Sequence, residues 1–355
     1  MVRSDLPGQA KLSLLLDFDR MFGLDLDTVP SSYQLPESIV TAAAQRSTLR
    51  EQVNFATADT LREELATSGY VVQDTPQATR IRPKTPLEQQ EERWDWVSSS
   101  REVESALDSP DLYDFTFVLN AYNYADDVSR CIRAMRNHSH GFSVEIIAID
   151  NGSTDETAEW LEGYKDQDPH IQVVHCDHVI GDAAGKNIGV KLSRGKHVII
   201  LDASTEITGD VLGTIAEQLA DETVGIFGPY GLTTDDMQHF HEEVEKGEAD
   251  AMQAYCMAFR REAVRNVGLM HEGFRFYRNL DIDYCFQFKE KGYRVVADSS
   301  LPMVRHEHRQ WTELDDAQRD EMSRKNFGRF LRRWGNRPDL LISGSARGFE
   351  TGFHH

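Results

Sequence analysis

Between residues 111 and about 220, short apolar runs of strand length alternate with longer segments whose apolar residues recur at helical spacing. The predicted strands are 115–119, 144–149, 171–174 and 197–201, and the predicted helices are 126–136, 155–164 and 183–192. Four β-α units in succession predict a mostly parallel sheet joined by right-handed crossovers. The expected fold class is therefore α/β.

The stretch 181–206 combines a loop, a helix, a turn and a buried strand, and we expect the domain to be organised around it. Strand 197–201 is almost wholly aliphatic, which suits a central position covered on both faces. Asp202 follows this strand at its carboxyl end, where open α/β sheets bind ligands. Asp202 is therefore a candidate binding residue; the alternative is a solvated loop aspartate.

After residue 221 the sequence predicts fewer helices and strands than in the preceding region, and a polar segment connects them. Strands are expected at 224–227, 252–260 and 294–297, with a helix at 261–267. Segment 234–250 is polar and acidic, and we expect a mobile loop and a helix there. Segment 324–334 is a basic amphipathic helix that we expect to pack on the core, with a membrane-surface role as the alternative.

The first 86 residues predict a separate helical module. Helical spacing predicts helices at 12–22, 39–50 and 56–66, followed by short strands at 70–72 and 78–82. Prolines, charges and serines are typical of a linker at 87–110, where Trp94 and Trp96 are expected to pack against the next domain. The predicted organisation is a helical module (1–86), a linker (87–110), an α/β domain (111–340) and a flexible tail (341–355).

The composition is that of a globular chain with a strong acidic excess. The 355 residues are 40% hydrophobic and 27% charged, and the formal net charge is −21. This charge disfavours nonspecific binding to nucleic acid or anionic membranes. We find no apolar run of roughly 18–20 residues, no signal-peptide pattern and no zinc or redox motif among the four cysteines. We therefore expect a cytoplasmic protein with no nucleic-acid partner.

Two common nucleotide-binding motifs do not fit this sequence. No G-x-G-x-x-G follows the first predicted strand, which disfavours a dinucleotide-binding fold. The stretch GDAAGKN at 181–187 has three residues between its glycines rather than four, and Asn187 stands where a P-loop needs Ser or Thr. In so acidic a chain, a nucleotide diphosphate would need a divalent cation or a local basic residue to offset the charge.

Four other motifs point to a different nucleotide-binding class. They are VLNAYN at 118–123, IDNGSTD at 149–155, GKNIG at 185–189 and LDAST at 201–205. In this order and spacing, residues 114–335 resemble the family 2 glycosyltransferases. The resemblance implies the GT-A nucleotide-diphospho-sugar transferase fold, a Rossmann-like and mostly parallel sheet flanked by helices.

The resemblance also implies a nucleotide-sugar site formed by Tyr122, Asn123, Asp150, Asn151, Lys186 and Asp202. Tyr122 would pack against the base, and Asp150 would accept a hydrogen bond from a base N–H or a ribose hydroxyl. Lys186, near a helix N-terminus, would contact phosphate; the alternative is a solvated helix lysine. The expected donor is a UDP-, GDP- or dTDP-linked sugar.

The expected metal site departs from the family pattern. The family usually has Asp-x-Asp where this chain has Asp202 and Ser204, and a serine hydroxyl is a poorer ligand for Mg²⁺ or Mn²⁺ than a carboxylate. We expect a divalent cation to bind through Asp202 and Ser204 with help from His306, and Glu206 or His308 are alternative contributors. A weak or dispensable metal and a loss of transfer activity are the other two outcomes.

A second motif supplies the candidate catalytic base. The stretch NLDIDYCF at 279–286 resembles the family's Glu-Asp-x-Asp stretch, with Leu280 in place of the glutamate. Asp281 then corresponds to the base that takes a proton from the acceptor hydroxyl in inverting transfer, and a helix N-terminus would stabilise its charge. The alternative is a helix cap. Asp283 is expected to be structural.

The N-terminal module has a resemblance of its own. The pieces FATAD (55–59), LREEL (61–65), GY (69–70) and DTPQ (74–77) resemble the C-terminal tail domain of cysteinyl-tRNA synthetases, over roughly residues 10–83. In that family the tail helps to recognise tRNA. Here the synthetase catalytic domain is absent and the module is slightly acidic, so we expect a docking or dimerisation module. A homodimer is the candidate assembly, and RNA association is the alternative.

Together these features predict an inverting glycosyltransferase of the hexosyltransferase type, with Asp281 as general base. It would move a sugar from a nucleotide-diphosphate donor to the hydroxyl of a carbohydrate or lipid-linked acceptor. The alternative is a catalytically degenerate GT-A protein that binds nucleotide-sugars or acts as a scaffold, which Ser204 and Leu280 motivate.

Overall fold

The computed structural model describes residues 35–51, 55–74, 79–84, 94–241, 243–276 and 278–343. These residues fall into two compact units, one within Met1–Arg93 and the other within Trp94–His355. The helix predicted at 12–22 and residues 344–355 of the predicted tail lie outside the described residues.

The N-terminal unit consists of two helices and a hairpin. They are α1 (Glu37–Glu51), α2 (Phe55–Thr67), β1 (Tyr70–Asp74) and β2 (Thr79–Pro83). Strands β1 and β2 pair antiparallel, and a small core forms from Ile39, Ala43, Leu65 and Val72. The predicted second and third helices and the two strands of this module are confirmed.

The second unit is built on a large sheet. Its strands are β3 (Trp96–Val97), β4 (Tyr113–Ala121), β5 (Val144–Asp150), β6 (Ile171–Cys176), β7 (Gly195–Leu201), β8 (Thr205–Ile207), β9 (Val224–Gly228), β10 (Gly231–Leu232), β11 (Glu243–Val244), β12 (Lys246–Ala249), β13 (Ala251–Met252), β14 (Cys256–Arg260), β15 (Arg294–Asp298) and β16 (Met303–Arg305). Nine of the described strands form one sheet in the order β12-β15-β9-β14-β7-β4-β5-β6-β3. The predicted parallel arrangement is confirmed for β4, β5, β6 and β7. The sequence did not predict β3, which pairs in parallel with β6. Strand β14 runs antiparallel to both of its neighbours, and β12 runs antiparallel to β15.

Helices cover both faces of this sheet. They are α3 (Ala125–Asn137), α4 (Thr157–Lys165), α5 (Asp182–Leu192), α6 (Leu212–Leu219), α7 (Ala263–Val267), α8 (Leu280–Glu290), α9 (Arg309–Thr312) and α10 (Asp316–Trp334). Alternate residues of one strand enter different cores: Val118 lies in one apolar cluster, and Phe117 and Leu119 lie in the other. This alternation is expected because successive strand side chains point to opposite faces, and it explains why the central strands are aliphatic throughout.

Helix α5 lies unusually close to strand β4 because two glycines face the strand. A Cβ atom at Gly189 would lie 2.3 Å from Val118 Cγ1, and one at Gly185 would lie 2.1 Å from Asn120 Oδ1. Only glycine permits this approach. The GKNIG motif therefore brings Asp182 and Lys186 to the sheet.

Two predictions for residues 234–260 are wrong in detail. The described part of 234–250 contains the short strands β11 and β12 and no helix, and β12 forms the edge of the large sheet, where it pairs with β15. The single strand predicted at 252–260 is interrupted, because β13 joins a small sheet with β10 while β14 joins the large one. The break at residues 253–255 exposes backbone that contributes to the site described below.

The C-terminal helix is longer than the sequence predicts and begins at Asp316. Its N-cap is Asp315, whose carboxylate accepts a hydrogen bond from the Gln318 N–H. Helix α10 buries Asn326, Phe330 and Trp334, which confirms that it packs on the core. None of the helices in the described residues is both long and apolar enough to cross a bilayer.

Candidate active site

Three loops carry polar side chains at the carboxyl ends of β4, β5 and β7. Tyr122 follows β4, Asn151 follows β5 and Asp202 follows β7. Because these strands are parallel neighbours, their carboxyl ends meet at one edge of the sheet. Residues that are distant in the sequence are therefore adjacent in the structure.

The loop after β4 has an unusual backbone. Asn123 and Tyr124 have φ angles of 57° and 62°, in a left-handed region that residues other than glycine rarely adopt. The loop after β5 holds them there: the Asn123 N–H donates to Ser153 Oγ at 2.9 Å, and the Thr154 N–H donates to Asn123 Oδ1 at 2.7 Å. Strain that neighbours maintain in this way is common at functional sites.

A cavity of about 650 Å³, which we call the first cavity, opens at this edge. Its size is in the range of small-molecule binding sites. Five of the predicted site residues line it: Tyr122, Asn123, Asn151, Asp202 and Ser204. The structure therefore brings most of the predicted nucleotide-sugar residues to one wall.

Asp150 lies behind this wall, with 1% of its surface exposed. Its carboxylate accepts a hydrogen bond from the Ser153 N–H at 3.0 Å and contacts His175 Nδ1 at 3.0 Å. The other ring nitrogen of His175 contacts Glu162 at 3.1 Å, and Trp94 stacks on the ring at a centroid distance of 4.3 Å. Asp150 thus fixes the β5 loop, and Asn151 is the residue that reaches the cavity.

Lys186 is buried and pairs with an acid one helical turn before it. Its Nζ atom forms an ion pair with Asp182 Oδ2 at 2.5 Å, and Asp182 Oδ1 accepts a hydrogen bond from Asn120 Nδ2 at 2.9 Å. Asp182 and Asn120 line the first cavity, whereas Lys186 lines a second one. Sequence reasoning assigned no role to Asp182 or Asn120.

Asp202 stands beside a histidine and a serine. Its Oδ2 atom lies 3.4 Å from His308 Nε2, and its Oδ1 atom accepts hydrogen bonds from the N–H and hydroxyl of Ser204. Burial raises the pKa of Asp202, but His308 and Ser204 outweigh it and lower this pKa to about 2. Conversely, burial lowers the pKa of His308 while Asp202 raises it, and the net pKa shift is upward. The pair therefore favours a charged carboxylate.

His306 takes a different position from His308. Its Nε2 atom lies 2.7 Å from Glu206, and its side chain is 36% exposed. Strand β16 pairs antiparallel with β8, so the chain after Arg305 passes next to Ser204, and the His306 N–H donates to the Ser204 carbonyl at 2.7 Å. Of the two histidines, His308 is the one that contacts Asp202.

A second cavity, of about 500 Å³, contains Asp281. The Asp281 carboxylate accepts hydrogen bonds from the Ala254 N–H at 3.0 Å, in the break between β13 and β14, and from the Ile282 N–H at 2.9 Å. Burial raises the pKa of Asp281, although these two hydrogen bonds oppose the shift. Asp202 and His308 line both cavities, so the cavities adjoin at this pair.

Asp283 has the structural surroundings that the sequence predicts for it. It is fully buried and accepts hydrogen bonds from Trp334 Nε1 at 2.8 Å, from Gln287 Nε2 at 3.1 Å and from Arg333. These contacts tie α8 to α10 next to Asp281.

A C-terminal contribution to the first cavity was missed by sequence reasoning. Gln310 Nε2 donates to the Tyr122 carbonyl at 2.9 Å, and the Arg309 guanidinium pairs with Asp127 at 2.6 Å. Arg309 also lies 4.6 Å over the ring of Tyr124. The cluster of charged and aromatic residues at 305–311 is the sequence feature that could have indicated a functional segment. No pattern within it shows which strand end it contacts.

The chain has an α/β fold with a candidate ligand site at the carboxyl edge of its sheet, and part of it is similar to known proteins. Residues 116–278 match the model of the "Glycosyl transferase family 2". This match and the relatives below support a family 2 glycosyltransferase domain in this chain.

Curated relatives match part of the chain. A pre-mycofactocin glycosyltransferase of Mycobacterium tuberculosis is 24% identical over 237 residues, covering 61% of this chain and 46% of the relative. Glycosyltransferase GlyG of Streptococcus pneumoniae serotype 4 is 26% identical over 117 residues, covering 32% of this chain and 38% of the relative. The chain thus spans less than half of the length of these relatives.

A solved structure supports the fold. The crystal structure of GalNAc-T7, which contains UDP, GalNAc and Mn²⁺, superposes with a TM-score of 0.52 at 16% identity and covers 64% of this chain and 49% of that one. The predicted GT-A fold is confirmed.

Proposed function

We propose that this chain transfers a sugar from a nucleotide-diphosphate donor to an acceptor hydroxyl, with inversion at the anomeric carbon. The observation that carries the proposal is the junction of two cavities at Asp202 and His308, with Asp281 on the far side of that junction. A transferase needs this arrangement, because donor and acceptor must enter separately and meet at one point.

In this proposal the first cavity binds the donor. Tyr122 packs against the base, and Asn123 and Asn151 supply polar groups for the base and ribose. Asp150 acts as a positioning residue, because its contacts with Ser153 and His175 fix the loop that carries Asn151. Lys186 contributes positive charge close to the junction, although its ion pair with Asp182 offsets part of it.

The residues at the junction fit a divalent cation bound together with a diphosphate. Asp202 offers a charged carboxylate and His308 an imidazole, and both groups are ligands for Mn²⁺. Ions such as Mg²⁺ commonly bind one or two protein ligands and complete their coordination shell with phosphate and water. No group of three His, Cys, Asp or Glu side chains suited to a metal occurs in the described residues. Ser204 donates to Asp202 and so orients it. A bound cation would offset the charge of the departing diphosphate.

Asp281 is proposed as the general base. As the acceptor oxygen bonds to the anomeric carbon, its proton passes to the Asp281 carboxylate, and the bond between that carbon and the diphosphate oxygen breaks. The nucleoside diphosphate leaves with the bonding electron pair. A raised pKa suits this role, because a base accepts a proton more readily as its pKa approaches the working pH.

The second candidate is a degenerate GT-A protein that binds nucleotide-sugars without transferring them. Ser204 in place of the second carboxylate and Leu280 in place of the family's glutamate favour it. This candidate requires donor binding with neither hydrolysis nor transfer.

The test is thermal stability with UDP-, GDP- and dTDP-sugars, each with and without Mn²⁺, followed by nucleoside diphosphate release for any donor that binds. Ligand binding to the native state raises the melting temperature by mass action. A shift with one donor, followed by release of its diphosphate, supports the transferase. A shift without release supports the degenerate protein, and no shift with any donor rejects both.

For the N-terminal module we propose docking or self-association rather than tRNA binding. Its small core and slight acidity support a protein partner. Sedimentation of the full chain at several concentrations tests for a homodimer, and a gel shift with tRNA at low salt tests the alternative.

A further inference from the structure

The second cavity has a basic rim, which is unexpected in a chain with a net charge of −21. Arg278, just before helix α8, and Arg324, on helix α10, both line it, and both are exposed. Lys186 also lines it but pairs with Asp182 at 2.5 Å, so its charge is largely satisfied.

In the part of the chain that the structure describes, neither guanidinium forms a direct ion pair, although Arg278 acts on Asp281 and Arg324 on Glu321 from a greater distance. Within the described residues, no carboxylate lies within 4 Å of either group. Arg278 is held instead by an aromatic ring, since its guanidinium lies 4.8 Å over Trp311, which in turn stacks with Phe276 at 6.1 Å. A cation–π contact fixes the position of the group while leaving its N–H donors available.

The rim is close to the proposed base. Arg278 precedes Asp281 by three residues, and its positive charge lowers the pKa of Asp281 against the effect of burial. The deeper wall carries Asp202 and Asp281 themselves, which repel an anion. An anionic group in this cavity would therefore be placed at the rim, where guanidinium groups bind carboxylate or phosphate in a bidentate manner.

We propose that the acceptor is a hydroxyl compound that also carries a carboxylate or phosphate, which Arg278 and Arg324 bind while the hydroxyl lies at Asp281. This inference rests on the proposed transferase function and adds the chemical class of the acceptor. A neutral acceptor would offer the N–H donors of these two guanidinium groups no anion to bind.

The test uses the full chain saturated with Mn²⁺ and the nucleoside diphosphate that binds best, so that the first cavity is filled. Calorimetric titration then compares two matched pairs of probes: glycerol 3-phosphate against glycerol, and methyl glucuronide against methyl glucoside. The first pair tests for phosphate and the second for carboxylate. We expect the anionic member of at least one pair to bind about tenfold more tightly, since a charge-assisted hydrogen bond contributes about that factor.

Three variants locate the effect. Arg278→Gln and Arg324→Gln should each remove most of the anionic preference, and Arg278→Lys should retain part of it. Arg332→Gln is the matched control, because Arg332 is exposed on the same helix as Arg324 and lines neither cavity. Loss of the preference in the first two variants and its retention in the control support the proposal.

Equal binding of anionic and neutral probes, no binding of either anionic probe, or a preference that survives both Gln variants overturns it. The loading step separates this result from a failure of the proposed function. If no nucleoside diphosphate binds, the transferase assignment fails; if one binds and no anionic preference follows, only the acceptor class is wrong.

Discussion

The close contact between α5 and β4 predicts that replacing glycine by alanine has opposite effects on stability at two positions. In Gly189→Ala, the new methyl group would lie 2.3 Å from Val118 Cγ1 and 3.0 Å from Ile149 Cδ1. Both neighbours are fully buried, so neither can move into solvent. In Gly163→Ala, on helix α4, the methyl group meets nothing within 4 Å.

The expected magnitudes follow from two opposing terms. Overpacking a closed core costs up to about 3 kcal/mol, while replacing a helical glycine by alanine gains about 1 kcal/mol. Gly189→Ala should therefore lower the free energy of unfolding by about 2 kcal/mol. Gly163→Ala creates no steric clash and should raise the free energy of unfolding by up to about 1 kcal/mol.

Urea unfolding followed by circular dichroism, with both variants measured beside the parent chain, checks this pair. The two midpoints should move in opposite directions with little change in slope. If both variants are stabilised, or if both are equally destabilised, then α5 does not lie as close to β4 as the structure indicates.

Three further predictions concern titration and a buried carboxylate. The rate of transfer should fall as the pH is lowered through the pKa of Asp281, because a protonated carboxyl cannot act as a base. Burial raises that pKa, so the fall should begin above the usual aspartate range. A pH–rate profile that is flat down to pH 4 would contradict the role of Asp281 as base. Burial, together with the charges of Lys196 and Arg260, lowers the pKa of His197 to about 4. The contribution of neutral His197 to stability is therefore present above its unfolded pKa near 6.5 and is lost as the pH falls towards 4. In urea unfolding, His197→Phe should flatten the dependence of stability on pH over this range, and an unchanged dependence would contradict the prediction. Asp283→Ala should cost about 1–3 kcal/mol of unfolding free energy, since it leaves the buried Trp334 N–H without its acceptor, and a loss below about 0.5 kcal/mol, on the same scale as an ordinary surface substitution, would exclude the structural role.

The sequence predicted the central part of the fold well because local pattern and tertiary position agree there. The four aliphatic strands and their helices follow from hydrophobic spacing alone, and the strand ends point to Asp202 and Asn151. The polar segment 234–250 was mispredicted because its short strands form by pairing. Strand β11 pairs with β10, and β12 pairs with β15, which lies about fifty residues away along the chain. No local sequence pattern indicates the second pairing.

In the candidate site too, local sequence motifs identify residues, whereas strand pairing determines their contacts. Asp281 could be placed from its motif, but its hydrogen bond from Ala254 depends on the break between β13 and β14. Asp150 and His175 are direct partners in the β5–β6 ladder, so the burial of Asp150 depends on strand register. The contact of His308 with Asp202 likewise depends on the pairing of β8 with β16, two three-residue strands with weak sequence patterns.

The central claim is that Asp281 is the base of a sugar transfer at the junction of the two cavities. The most direct measurement is nucleoside diphosphate release by Asp281→Asn beside the parent chain, with donor binding followed in the same samples. Asparagine retains an oxygen to accept the Ala254 N–H hydrogen bond, so the fold should survive the change. The account predicts unchanged donor affinity with release reduced at least about a hundredfold, the usual minimum for loss of a general base. Release at the parent rate with intact binding would contradict it.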